Sequence, residues 1–141
     1  MNSAAMDLKD VLVSAGVGTF AASSGWGIYI GFEPDSPDTV VTLYDTGSFE
    51  EPNPAYLLDF PTMQIRIRGA KNDYPGAFSK ANAVKEALLG LPAQTINGTR
   101  YDGVWMISDV SYIGVEKERP IFTTNWRIAR EPATGTYRAS L

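Results

Sequence analysis

The chain has 141 residues, 44% of them hydrophobic and 20% charged, which makes one ordinary globular domain able to bury a core without disulfide or metal staples. It contains no cysteine and no histidine, so zinc sites, thiol nucleophiles, Ser-His-Asp triads and imidazole acid-base catalysis are excluded together. The net charge of −4 is unevenly spread: residues 31–61 hold seven acids and no base, whereas residues 62–101 hold six bases against two acids. That distribution fits either two differently charged solvated surfaces or complementary poles suited to head-to-tail contact between copies of the chain.

In chain order, Ser3 caps a predicted helix over residues 3–15, with Leu8, Val11, Leu12 and Ala15 as its apolar stripe and the glycines of "GVG" as its stop. Asp7, Lys9 and Asp10 interrupt the basic start and apolar run of a secretory signal, and no apolar stretch approaches a membrane span. A soluble intracellular product, with no membrane partner, is the expectation. "WGIYIGF" and "TVVTLYD" read as strands separated by the loop "EPDSPD". "TGSFEEPNPAYLLDFP" follows, a connection with three prolines that is too long for a hairpin and is expected to be a binding or packing arm.

"PTMQIRIRGA" alternates cleanly, with Met63, Ile65 and Ile67 on one parity and Gln64, Arg66 and Arg68 on the other. The two arginines thus project from one strand face, about 7 Å apart. Asp73 caps a second helix with Pro75 in its first turn and Phe78, Ala81, Val84, Leu88 and Leu91 as its buried stripe, stopped by Gly90 and Pro92. Beyond it only strand and turn signals remain. Asn97-Gly98 marks a type I′ hairpin, and "VWMISDVSYI" and "IFTTNWRIA" are expected to pair as an antiparallel hairpin across "GVEKERP". In the latter, Phe122, Thr124, Trp126 and Ile128 share one face, which leaves Arg127 on the polar face with Thr123 and Asn125. The tail, residues 132–141, is expected to be flexible unless a partner orders it.

No motif carries chemistry. "AGVGTF" follows a helix and lacks a third glycine, so it reads as a helix stop and not a dinucleotide loop. Asn97-Gly98-Thr99 has the glycosylation pattern, but the hairpin accounts for it. Glu50, Glu51 and Asp59 do not have the spacing of a calcium loop, so no metal, cofactor or catalytic residue is assigned. A pI near 4.7 argues against affinity for nucleic-acid phosphate.

The succession of "VTLYDTG", a proline-rich stretch, "QIRIRG" leading into Tyr74 and its helix, and a closing strand with Arg119-Pro120 and "FTTNWRI" resembles the tail terminators or minor capsid proteins of long-tailed bacteriophages, over roughly residues 25–131. The resemblance implies a single α+β domain with a mixed, mainly antiparallel sheet and two helices packed on one face. It also implies a structural virion protein, made in the host cytoplasm, that caps the tail tube as a ring, usually of six subunits. Such a ring would contact itself, the tail tube protein and a head or neck connector, and DNA would pass its lumen without specific binding. In a ring, Arg66, Arg68 and Arg127 could reach a neighbour's acidic arm, making these arginines with Phe49, Glu50, Glu51, Tyr56 and Leu57 the expected subunit interface. The alternatives are a head-completion or neck adaptor protein, and, in another class, a small ligand-binding or enzymatic pocket lined by Tyr29, Tyr44, Trp105, Asp109 or Trp126.

Overall fold

Ser3 opens the first helix, its side chain accepting from the Met6 amide, and α1 runs Ala4–Ser14 before the chain turns at Ala15. A computed structural model describes all 141 residues. After α1 come β1 (Thr19–Phe20), β2 (Gly27–Ile30), β3 (Val40–Ser48) and β4 (Pro61–Arg68). Helix α2 (Tyr74–Leu88) then leads to β5 (Gln94–Ile96), β6 (Thr99–Met106), β7 (Ser111–Glu116) and β8 (Arg119–Glu131). This is the expected α+β architecture: one mixed, mainly antiparallel sheet with both helices on one face.

The sheet order is β1-β2-β3-β4-β8-β6-β5, with β7 also on β8. Only the β1/β2 and β2/β3 pairs are parallel. Strand β8 is long enough to carry two neighbours along one side: β7 pairs with Arg119–Thr123 and β6 with Trp126–Glu131. The expected single strand "VWMISDVSYI" is therefore broken. The Ile107 amide still donates to the Asn125 carbonyl at 2.8 Å, but Asp109 accepts from the Val110 amide at 2.7 Å and from Lys85 at 3.0 Å, and residues 108–110 leave the ladder. The pairing of the β7 segment with β8 survives, closed by a two-residue turn at Lys117 and Glu118, both with positive φ.

The core lies between helices and sheet. Leu8 and Leu12 of α1, Ala81, Val84 and Leu88 of α2, and Val41, Ile65, Ile67, Phe122 and Trp126 of the sheet are all buried, each large side chain contributing roughly 1.5–3 kcal/mol relative to exposure. Two expected stripe positions differ. Ala15 is exposed because the helix has ended, and Phe78 is 46% exposed, its place on the buried face taken by Ala77. Phe78 instead meets the edge of Phe122, with ring centroids 5.8 Å apart. Gly69, which closes "QIRIRG", passes so near α2 that a Cβ there would lie 2.6 Å from that of Ala77.

The lower end of the sheet curls towards the start of α1. Asn97, at the tip of the type I′ turn, donates to Asp7 and Asp10, the Tyr101 hydroxyl donates to Asp7, and Arg130 reaches Tyr101 and the Asn2 carbonyl. Burial, reinforced by the bond to Asp7, pushes the Tyr101 hydroxyl pKa up. Asp45 of the "YDTG" stretch accepts from the Ala5 amide at 3.0 Å, satisfying one free donor of the helix N-terminus. Its neighbour Gly47, with φ +100°, sits where the β3/β4 register shifts between Asp45 and Ser48.

Candidate assembly surface

The sheet face turned away from the helices carries the polar parity. Register aligns Thr42 with Arg66 and Val40 with Arg68 across β3/β4, and Arg66 with Thr123 and Thr62 with Arg127 across β4/β8. All three predicted arginines therefore share this face. Their surroundings differ from one end to the other.

At the upper end the loop between β2 and β3 folds over the face. Arg68 is 2% exposed. Its Nη2 donates to the carbonyls of Pro34 (2.7 Å), Pro37 (2.8 Å) and Asp35 (3.3 Å), its Nε to that of Asp38 (3.0 Å), and its Nη1 to Glu33 (3.3 Å). Arg66 bridges Glu33 at 2.9 Å and Glu116 at 2.8 Å. Arg119, also buried, donates to the Asp35 carbonyl (2.7 Å) and carboxylate (3.1 Å) and to Asp38 (3.2 Å), while Lys117 reaches Asp35 at 3.0 Å. Burial lowers the Arg68 pKa; at Arg66 burial pulls the same way, but the bonds to Glu116 and Glu33 outweigh it and the pKa is raised. The bonds from Lys117 and Arg119 hold the Asp35 carboxyl below its ordinary value.

The lower end is open. Gln64 donates to Asn125 at 3.2 Å, and the Arg127 guanidinium stands 5.3 Å from the centre of the Phe49 ring, which meets Phe60 edge to face. Trp105 of β6, opposite Arg127 in the register, is 46% exposed. Beyond Phe49 runs the arm, where Glu50, Glu51 and Tyr56 are exposed and Leu57 is buried. The Asn53 side chain turns the arm by accepting from the Ala55 and Tyr56 amides. The C-terminal segment lies along the arm of its own chain: Leu57 donates to the Ala139 carbonyl at 2.8 Å, Ala139 to the Ala55 carbonyl at 2.9 Å, and Arg138 binds Asp59 at 2.7 Å.

The subunit thus satisfies Arg68 and buries Leu57 internally, half-buries Arg66 between two acids, and leaves Phe49, Glu50, Glu51, Tyr56 and Arg127 at the surface. Sequence reasoning passed over Arg119, read as part of a charged turn, and Glu33, the acid that both β4 arginines share. The five residues of the pocket alternative do not converge: Tyr44 lies on β3 opposite Gln64, three strands away from Trp105 on β6. Trp126 is sealed on the helix side with its Nε1 donating to Thr124, Asp109 is exposed beside Lys85, Tyr29 donates to the Ala22 carbonyl, and Trp105 is on the opposite face from Trp126. The recess bounded by Glu33, Asp35, Arg68, Glu116, Lys117 and Arg119 is about 490 Å³, open and lined by charged groups that are largely paired with one another. No three acids come together as a metal site, and no helix is long and apolar enough to cross a membrane.

The sheet's charged groups are thus mostly paired within the chain, and the arm lies exposed at its lower end. Residues 11–132 match the family model described as bacteriophage tail terminator protein, and the chain belongs to that family. The family is structural and not an enzyme class. The fold is similar to a chain in the solved virion of a native gene transfer agent particle, with TM-score 0.71 at 17% identity, covering 92% of this chain and 95% of that one. No curated protein matches the sequence. The protein is therefore a structural tail component of a phage-type particle.

Proposed function

We propose that this protein closes the tail tube as a ring of identical subunits, six by analogy with the resemblance noted above, halting tube growth and offering a surface to the head or neck. The family match over residues 11–132 carries the reading. The surface supports it: Phe49, Glu50, Glu51 and Tyr56 of the arm, with Arg127 beneath and the partly buried Arg66 at the far end, form the part of the polar face through which the ring would meet a neighbouring subunit or the tube. Arg68 and Leu57 would act there indirectly, holding the loop and the arm in place. DNA would pass through the lumen without specific contacts, and the particle tail would be its place of action.

The test has two parts. Sedimentation of the purified chain at low and high salt should show one closed oligomer that weakens as salt screens the exposed charges. Particles made without the protein should carry tails of uncontrolled length lacking heads. Tails of normal length joined to heads in its absence would overturn the reading, whereas headless tails of normal length would favour a neck adaptor.

A further inference from the structure

From Glu50 to Leu58 the arm's hydrogen bonds run either within the arm or to the C-terminal segment, and none reaches the sheet directly. The arm is bonded to the body at its base, where the amides of Phe49 and Asp59 donate to the carbonyls of Phe60 and Arg130. The C-terminal segment in turn bonds to nothing but the arm. Ala139 donates to the Ala55 carbonyl and accepts from the Leu57 amide. Nη1 of Arg138 donates to the carbonyls of Asn53 (3.2 Å) and Tyr56 (3.3 Å) and to the Asp59 carboxylate (2.7 Å). Beyond the buried Pro132, Arg138 is the one residue that is not exposed. Leu57, the one buried residue between Glu50 and Leu58, lies against the same segment: a Cβ on Gly135 would stand 2.8 Å from its Cδ2.

We infer that residues 133–141 are a releasable strap that holds the arm in one conformation, with Arg138 as its clasp. The inference rests on the reading of the arm as an assembly surface and specifies how that surface is held. The strap does not mask the arm, since Phe49, Glu50, Glu51 and Tyr56 remain exposed while it is closed. Its effect is to gather two carbonyls of the arm's turn and the carboxylate at its base onto one guanidinium, so that the arm's exposed groups are already ordered when they meet another protein. Ordering in advance removes a conformational cost that binding would otherwise carry. Two backbone bonds and one guanidinium are also few enough to open locally while the core stays closed. Because Leu57 and the segment cover each other, strap and arm should open as one unit, hinged where Phe49 and Asp59 stay bonded to the body.

The test compares amide exchange and oligomer mass for the full chain and three variants of it. Arg138→Ala removes the clasp, Ala139→Pro removes the amide that bonds the Ala55 carbonyl, and Tyr137→Ala alters a side chain that is 96% exposed and serves as the control. In Arg138→Ala and Ala139→Pro, exchange at the amides of Asn53, Ala55, Tyr56, Leu57 and Leu58 should rise together, about ten-fold or more. The amides of Phe49 and Asp59 and those of α2 should keep their wild-type rates, and Tyr137→Ala should change nothing. Sedimentation should show the same two variants assembling about three- to ten-fold more weakly than wild type. A rise confined to Leu57 would mean that the segment covers the arm without holding it and would overturn the inference, as would a rise that spreads to α2. Weaker assembly with unchanged exchange would also overturn it, since Arg138 would then be acting on a neighbour directly. A freed arm with wild-type assembly would leave the strap in place and overturn the reading of the arm as an assembly surface.

Discussion

The two ends of the polar sheet face carry the same residue type on the same parity and use it in opposite ways. Arg68, at the upper end, is enclosed by a loop of its own chain and finds five acceptors; Arg127, at the lower end, lies exposed over the Phe49 ring. A guanidinium removed from water needs every donor matched, and a run of backbone carbonyls bent around it can do this without added charge. An exposed guanidinium has water for its donors and gains little from one neighbour. The upper end is therefore a piece of the fold, and the lower end is a surface.

The largest effect should come from truncating Arg68. Arg68→Ala leaves the carbonyls of Pro34, Asp35, Pro37 and Asp38 and the Glu33 carboxylate without their common donor, and it should cost about 3–5 kcal/mol in urea unfolding, the range for breaking a buried charge pair. A loss below 1 kcal/mol would mean that water replaces the arginine and that the two ends are alike. Next in size is Arg66→Glu, which turns a bridge between Glu33 and Glu116 into three adjacent acids. Arg66 retains about a fifth of its exposure, so screening limits the penalty to roughly 1–3 kcal/mol. Thermal melting should detect it, and added salt should recover part of it. Reversal at these two positions accordingly tests the fold before it tests assembly.

The contrast also explains what could be read from the sequence. Alternation in "QIRIRG" and "FTTNWRI" fixed which side chains face the helices, because a period of two admits only one buried parity. It held no information on what covers the other face, since Arg68 meets residues thirty or more positions away in sequence. Ser3, Asp73 and Asn97-Gly98 marked their caps and turn through local bonds and were legible for that reason. The turn at Lys117 and Glu118 was not: neither residue favours positive φ, and ion pairing of Lys117 with Asp35 and the ladder on both sides hold it. The division between β6 and β7 was hidden likewise, because Ser108 and Asp109 fall on opposite parities and each interrupts its own row at one position only. Of the candidate surface, the arm's exposure followed from its prolines and acids, whereas its pinning by the C-terminal segment depended on a contact across some eighty residues.

Acid offers a gentler way to separate the two ends. The Asp35 pKa is lowered in the folded protein from an ordinary value of 3.8, so its contribution is complete above the unfolded value and disappears as pH falls through the lower folded one. The loop at residues 33–38 should stay closed at pH 5 and loosen only below pH 3.8. Amide exchange of residues 35–39 followed against pH should show this opening before the core melts. Loosening already at pH 5 would mean that Lys117 and Arg119 do not hold the loop through Asp35.

The smallest expected change in stability is at Arg127. Its guanidinium is exposed, and its one aromatic neighbour contributes about 0.5–1 kcal/mol at such a site. Arg127→Ala and Phe49→Ala should each remain folded, and the coupling between them in a double-mutant cycle should not exceed that range. Arg127→Glu is the sharper variant, because it reverses the charge over the Phe49 ring, where the chain enters the acidic Glu50-Glu51 arm, while the buried parity of β8 is untouched. If this end is where neighbours meet, the reversal should leave the melting temperature within a degree or two while lowering oligomer mass, and raising the salt should narrow the gap to wild type. Rim charges act mainly on association rate and salt dependence, so the assembly rate at low ionic strength is the most sensitive reading. A variant that assembles at the wild-type rate at every salt concentration would show that the open end of the sheet faces solvent in the ring and that its contacts lie elsewhere.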